Sequence, residues 1–448
     1  MSPTNNKAIR SNRVVMPDGV RPAVVLIRDG MIVDVIEDVP ENIVETTDLG
    51  NYVLMPGVID PHVHINEPGR TEWEGFDTGT KAAIAGGVTM LVDMPLNADP
   101  VTTTKRSFEL KLESTKGKLH TNCGFWGGVV PGNEKDIEPL IKSGVLGFKA
   151  FLTHSGIDEF PNVGERELEK VMPIIAHHGL PLLVHCELSD EIDRTGKDPR
   201  SYRNYLASRP KQWENSAVNM MISLCKKFNC RTHIVHLSSV GALPMIVKAK
   251  NEGLPLTVET CQHYLYFNAE DIPDGNTAYK CAPPIREKAN NDLLWEALKN
   301  GIIDYVATDH SPAPPAMKET ESGNFMKAWG GIASIQFALP VLWSAAKKRG
   351  HTLSDIAKWL CENPARLPGQ EKIRGKIAKG YAADLVAWKP EEIFIVTKEL
   401  IEHKHKITPY IDKELYGVVQ QTWLDGEKVF DRGKFLHLNK GKTILRTS

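Results

Sequence analysis

From residue 51 to about 364, short β-branched runs alternate with longer helical segments, and this alternation narrows the fold more than any other feature. Strands that alternate with helices build parallel sheets whose faces the helices cover. Eight such runs can be placed, at 54–60, 88–94, 123–129, 147–152, 181–186, 232–237, 255–259 and 303–308. Eight is the number that closes a (β/α)8 barrel. The stretch from His62 to Asp309 also matches the roughly 250 residues that such a barrel needs. The expected class is therefore α/β, a (β/α)8 TIM-type barrel.

The flanks read differently. Residues 23–27 and 31–36, joined by Arg28-Asp29-Gly30, form a plausible hairpin. Strand character resumes at 375–389, and 418–435 carries turns at Asp425-Gly426 and Asp431-Arg432-Gly433. The two β-rich ends are expected to pack together as a small β-sandwich. That divides the chain into 1–53 (first part of the sandwich), 54–370 (metal-dependent barrel) and 371–448 (second part).

Active-site residues of such a barrel lie at the C-terminal ends of its strands. The first strand ends on Asp60-Pro61-His62-Val63-His64. Residues two apart in a strand share a face, so both imidazoles reach toward one point, an arrangement suited to zinc and its first-row neighbours. The plainer alternative is a polar pair on a loop. Strand 4 supplies Lys149. One reading is a lysine that snorkels at the strand end. The other is an amine whose pKa falls on burial near cations and which takes up carbon dioxide as a carbamate, an oxygen ligand able to bridge two ions. Lys149 alone favours the first reading; four converging histidines favour the second.

Strand 5 ends on His185. On strand 6, His233 and His236 differ by an odd spacing and face opposite ways, and His236 lies nearer the C-terminal end. Asp309 closes strand 8, where a carboxylate either binds metal and moves a proton or caps a turn. His310 points away from it if the strand continues. His177 and His178 fall in a helical segment and read as structural, and His263, after strand 7, is a possible pocket residue.

Composition bounds the partner. The chain has 448 residues, 41% hydrophobic, and a net charge of -2, which gives no basic field for nucleic acid and no polybasic membrane signal. A small-molecule substrate is expected. Seven dispersed cysteines without a Cys-x-x-Cys pair suit a reducing cytosol. Residues 1–12 lack an apolar leader core, no stretch has the length of a membrane span, and residues 446–448 match no addressing signal, so cytoplasmic residence is expected.

Asp60-Pro61-His62-Val63-His64, Gly147-Phe148-Lys149, Val184-His185-Cys186-Glu187, Val235-His236-Leu237-Ser238-Ser239 and Thr308-Asp309-His310-Ser311-Pro312 resemble the cyclic amidohydrolases of the amidohydrolase superfamily. That group holds dihydroorotases, hydantoinases (dihydropyrimidinases) and allantoinases, and the resemblance covers nearly the whole chain. It implies two divalent ions, zinc-like, bridged by a carboxylated Lys149 and a hydroxide. His62, His64 and Asp309 would hold one ion, and His185 and His236 the other. Asp309 would serve as general base and then general acid.

Within the group, segments 66–75, 93–97 and 327–332 are most similar to allantoinases, which implies hydrolysis of the hydantoin ring amide of allantoin to allantoate. Dihydroorotases carry an arginine two residues after the second histidine for a substrate carboxylate. Here that position is Asn66, whose neutral amide suits an uncharged ureido-hydantoin. Ser311, Asn97 and Asn66 are the expected substrate contacts, with the backbone around Pro283-Pro284. Ala313 and Gln262 depart from the pattern, at positions where cysteine and histidine are common, and neither is a metal ligand.

The segment 313–331 is either a lid or pocket wall over the site or a plain surface loop. The resemblance also implies a homo-oligomer, a tetramer. Competing readings are a hydantoinase or dihydropyrimidinase specificity, a non-catalytic scaffold relative and a closed structural metal site. All six ligand positions are filled, which argues against the scaffold relative. Closed structural sites are usually cysteine-rich.

Overall fold

A computed structural model describes residues 6–40, 43, 45–190 and 196–446. The leader reading at residues 1–12 thus lies partly outside the described residues, as do Thr447 and Ser448. The chain begins with β1 (Lys7–Met16), β2 (Gly19–Arg28), β3 (Met31–Ile36), β4 (Glu45–Asp48) and β5 (Val53–Pro56). There follow β6 (Val58–Val63), β7 (Val88–Asp93), β8 (Asn122–Phe125), β9 (Gly127–Gly128), β10 (Phe148–Phe151), β11 (Leu182–His185), β12 (Thr232–Ile234), β13 (Leu256–Cys261) and β14 (Tyr305–Ala307), with helices between them. The last strands are β15 (Leu385–Ile395), β16 (Glu414–Leu424), β17 (Glu427–Asp431) and β18 (Lys434–Phe435).

Both ends of the chain enter one nine-stranded sheet, ordered β18-β17-β16-β15-β5-β1-β2-β3 with β4 on β1. Its tight turns are where the residues dictate. Asp29 and Gly30 (φ 51° and 80°), Asp425 and Gly426 (47° and 73°) and Arg432 and Gly433 (46° and 80°) all take positive φ, as two-residue primed hairpins require. Ile9, Val14, Val25, Leu54, Leu385 and Trp423 pack into a core belonging to this sheet.

The parallel strands form two further sheets, β6-β7-β8 and β9-β10-β11-β12-β13-β14. Hydrogen bonds join them at both ends. Leu146 N donates to Phe125 O at 3.0 Å on one side, and His64 N donates to His310 O at 2.8 Å on the other, where Val63 and His310 form a parallel bridge. The helices cover the outside with apolar stripes. Glu165–His177, for example, buries Leu168, Val171, Met172 and Ile175, the spacing of one helix face. No helix among the described residues is long and apolar enough to cross a membrane.

Three expected strands change shape. The run 54–60 is two strands, because the chain leaves the nine-stranded sheet at β5 and enters the parallel sheet at β6. Both pieces are buried throughout, so no polar residue marks the crossing. Gly57 marks it instead: its N–H bonds Asp384 O at 2.8 Å, and a Cβ there would lie 2.1 Å from Thr89 Oγ1. The run 123–129 breaks at Trp126, whose indole N–H turns to Pro61 O at 2.8 Å. The strand expected from 375 starts only at Leu385, because Gly375 and Gly380 take positive φ in the turns before it.

Candidate metal centre

The bridge between Val63 and His310 sets the site. It locks the end of β6 to the residues after β14, and so brings Asp309 against both histidines of the first motif. Asp309 Oδ1 lies 3.2 Å from His62 Nε2 and 3.5 Å from His64 Nε2. One ligand atom from each of the three lies within 4.8 Å of the others, and all three residues are buried. Asp309 and His236 sit at φ 46° and 39°, a left-handed conformation uncommon for such residues that clusters at functional sites.

The other expected residues gather beside them. The His236 ring lies 5.4 Å from that of His62 and 4.6 Å from that of His185. His185 stacks on Phe151 at 4.6 Å, and Lys149 Nζ lies 4.9 Å above the same Phe151 ring. Lys149 is fully buried, and its Nζ has no hydrogen-bond partner among the described residues.

The protonation states follow from this enclosure. Burial, against the pull of Asp309 and other groups, brings the Lys149 ammonium down to about 8 from an ordinary 10.5, which enriches the free amine. Burial likewise lowers His64, His185 and His236, which favours the neutral imidazole that metals bind. Burial alone would raise Asp309, but the facing His62 and His64 rings outweigh it and hold the carboxyl at about 2. Imidazoles, an ionised carboxylate and an unpartnered buried amine are a donor set that fits divalent ions of the zinc type.

Two glutamates that sequence reasoning passed over orient these side chains. Glu259, within β13, accepts from His62 Nδ1 through Oε1 and pairs with His233 Nε2 through Oε2 at 3.1 Å. It also accepts from the His236 backbone N–H at 3.2 Å. Glu187 lies 2.8 Å from His185 Nε2 and is gripped by both Nε and Nη2 of Arg209. With one ring nitrogen of His62 and of His185 engaged in this way, the other is left for a ligand. His233 turns away from the cavity to Thr257, Glu259 and Tyr305.

A cavity of about 370 Å3 opens above these groups, lined by His62, His64, His185, His236 and Asp309. Asn97 and Ser311 also line it, as do Met317, Glu319 and Lys327–Gly330 of the 313–331 segment, which is therefore a wall of the pocket and not a plain surface loop. Asn66 does not line it; its Nδ2 donates to Pro312 O at 3.3 Å. The carbonyls of Pro283 and Pro284 are taken by Tyr264 and Ser238. His263 is buried outside the lining, and burial takes its imidazole down to about 4. Gln262 and Ala313 are buried outside it as well. His310 turns its Nδ1 to Ser334 N at 2.9 Å, away from the centre, and His178 pairs with Glu138 at 2.8 Å.

Residues 53–429 match the amidohydrolase family, and the chain belongs to that family. It is 46% identical to the allantoinase of Streptomyces avermitilis over 98% of both chains. It is 44% identical to the allantoinase of Arabidopsis thaliana, over all of this chain and 92% of that one. Among solved structures it is similar to the L-hydantoinase (dihydropyrimidinase) of Arthrobacter aurescens, with a TM-score of 0.93 and 29% identity over 98% of this chain and 99% of that one.

Proposed function

We propose that this chain hydrolyses the ring amide of allantoin to allantoate at a two-ion centre, with a carboxylated Lys149 as the bridging ligand. The observation that carries the reading is the meeting of Asp309, His62 and His64 on one side of a cavity with His185 and His236 on the other. The allantoinase relatives supply the substrate. In this reading His62, His64 and Asp309 would hold one ion, His185 and His236 the second, and carbon dioxide would enter as N6-carboxylysine. What zinc-like ions supply when bound is Lewis acidity, which activates water near neutral pH.

The chain does the rest. Asp309 Oδ1 faces the two imidazoles, so Oδ2 takes the nucleophile's proton and returns it to the departing ring nitrogen. Ser311 and Asn97 hold the ring from the cavity wall. Asn66 acts behind it, through Pro312, on the loop that carries Ser311. The 313–331 wall keeps bulk water from the opening amide. A cavity of about 370 Å3 suits a small cyclic amide.

The hydrogen bonds at both ends of the parallel sheets support closure of β6 to β14 into one (β/α)8 barrel. The separate core of the terminal segments supports a small β-sandwich as a second unit. A cytoplasmic homotetramer completes the proposal. All seven cysteines are free and buried, as in a reducing compartment, and light scattering reads the assembly.

The likeness to a hydantoinase favours one other reading, an enzyme of that ring specificity. Protein purified with zinc and bicarbonate should open allantoin faster than hydantoin, dihydrouracil or dihydroorotate. A preference for hydantoin or dihydrouracil would overturn the allantoin reading.

A further inference from the structure

The cavity wall at 313–331 is held in an unusual way. Lys318 is only 3% exposed, yet it ends in an amino group. Its Nζ donates to three carbonyls, of Lys280 (3.1 Å), Trp329 (3.0 Å) and Gly331 (2.8 Å). Lys280 reaches back across the same seam and donates to the carbonyls of Met326 and Ala328. Two lysines from separate segments thus cross-link the wall on either side of Trp329. The indole is fixed as well. Its ring meets Trp73 edge-on at 4.8 Å, and a Cβ on Gly156 would lie 3.1 Å from it. Trp73 in turn lies under the Arg70 guanidinium, which bonds Asn97 O at 2.9 Å and Glu159 at 2.8 Å.

The indole is therefore held by Trp73 and by the close approach of Gly156, while its one polar atom is not engaged. Trp329 Nε1 is buried and has no hydrogen-bond partner among the described residues, although the residue lines the cavity. A buried N–H left unpaired is unfavourable, and a site built around one favours whatever supplies an acceptor. The position says which part of the substrate that is. The reacting ring amide must reach the buried histidines, whereas Trp329 is only part-buried and lies two residues from exposed Lys327 on the cavity wall. What reaches the indole is the substituent that the ring carries outward.

Building on the allantoin reading, we propose that Trp329 Nε1 donates a hydrogen bond to the carbonyl oxygen of the ureido arm, and that Lys318 is the positioning residue that presents it. The interaction discriminates a ureido-substituted hydantoin from a bare one. Full-length enzyme loaded with zinc and bicarbonate tests this with two ligands, allantoin as substrate and unsubstituted hydantoin as competitor. W329F should lower kcat/KM for allantoin about tenfold, the value of one good hydrogen bond, while the inhibition constant of hydantoin stays within about twofold. K318M should lower the same preference, and W329F/K318M should be little worse than K318M alone, since the two act as a unit.

Equal losses toward both ligands, or an unchanged preference in W329F, would overturn the inference and leave the allantoin reading standing. A wild-type enzyme that leaves allantoin intact would overturn both.

Discussion

Replacing Glu259 by glutamine tests whether the centre depends on the residues behind its ligands. Glu259 is wholly buried and accepts from the His62 ring, the His233 ring and the His236 backbone N–H. Burial alone would raise its carboxyl, but the charges and hydrogen bonds of His62 and His233 hold it well below the ordinary carboxylate range, so it is an anion. Hydrogen bonds to charged groups contribute about 1.5–3 kcal/mol against about 0.5–1.5 kcal/mol for neutral ones. E259Q keeps the shape and an acceptor oxygen but gives up the charge, a loss on the His62 bond of about 1.4 kcal/mol, or tenfold. Partners behind metal ligands typically matter 10- to 100-fold.

The assay is metal content per chain after dialysis against graded chelator, followed by turnover of the reloaded protein and a thermal melt. E259Q should lose metal at about tenfold lower chelator and turn over more slowly while it melts cooperatively. A variant that retains metal and activity like the wild type would refute the view that Glu259 sets the nitrogen His62 presents.

K149A should abolish allantoin hydrolysis, with partial rescue by short carboxylic acids; full retained activity, read in the same turnover assay, removes the carbamate from the site. Arg209 and the His185 hydrogen bond hold Glu187 at about 2 against the opposing effect of burial, below its ordinary 4.5. A folded value below the unfolded one gives stability that is present above pH 4.5 and lost as pH falls toward 2. R209L should therefore move the midpoint of acid unfolding, followed by circular dichroism, to higher pH, and an unmoved midpoint would count against the pairing. G57A forces a methyl to 2.1 Å from Thr89 Oγ1 and should destabilise by about 1–3 kcal/mol, recovered only in part in G57A/T89A because Thr89 Cβ stays 2.7 Å from that methyl, as urea titration would show.

The residues that gather at the cavity were legible because chemistry in this fold is expected at strand ends, where His62, Lys149, His185, His236 and Asp309 stand out against apolar runs. The crossing at Gly57 was hidden, because β5 and β6 are both buried and join without a polar break. Glu187 and Glu259 were passed over because their role depends on which ring nitrogen each faces, which spacing alone does not give. Two signals were nonetheless present: Glu187 follows His185 by the same-face spacing of two, and Glu259 closes the expected run 255–259. Lys318 gave no sign at all. A lysine in a loop reads as solvated, and only the three carbonyls brought around it by distant segments make it a cross-link.

Because β5 lies between β1 and β15, its antiparallel neighbour leaves the ribosome only after every helix-flanked strand has been synthesised. Until then one edge of β5 exposes unpaired backbone groups, one residue upstream of the strand bearing His62. Pairings that span so much sequence form slowly. Maturation of the strand that carries His62 is thereby tied to arrival of the C-terminal hairpins.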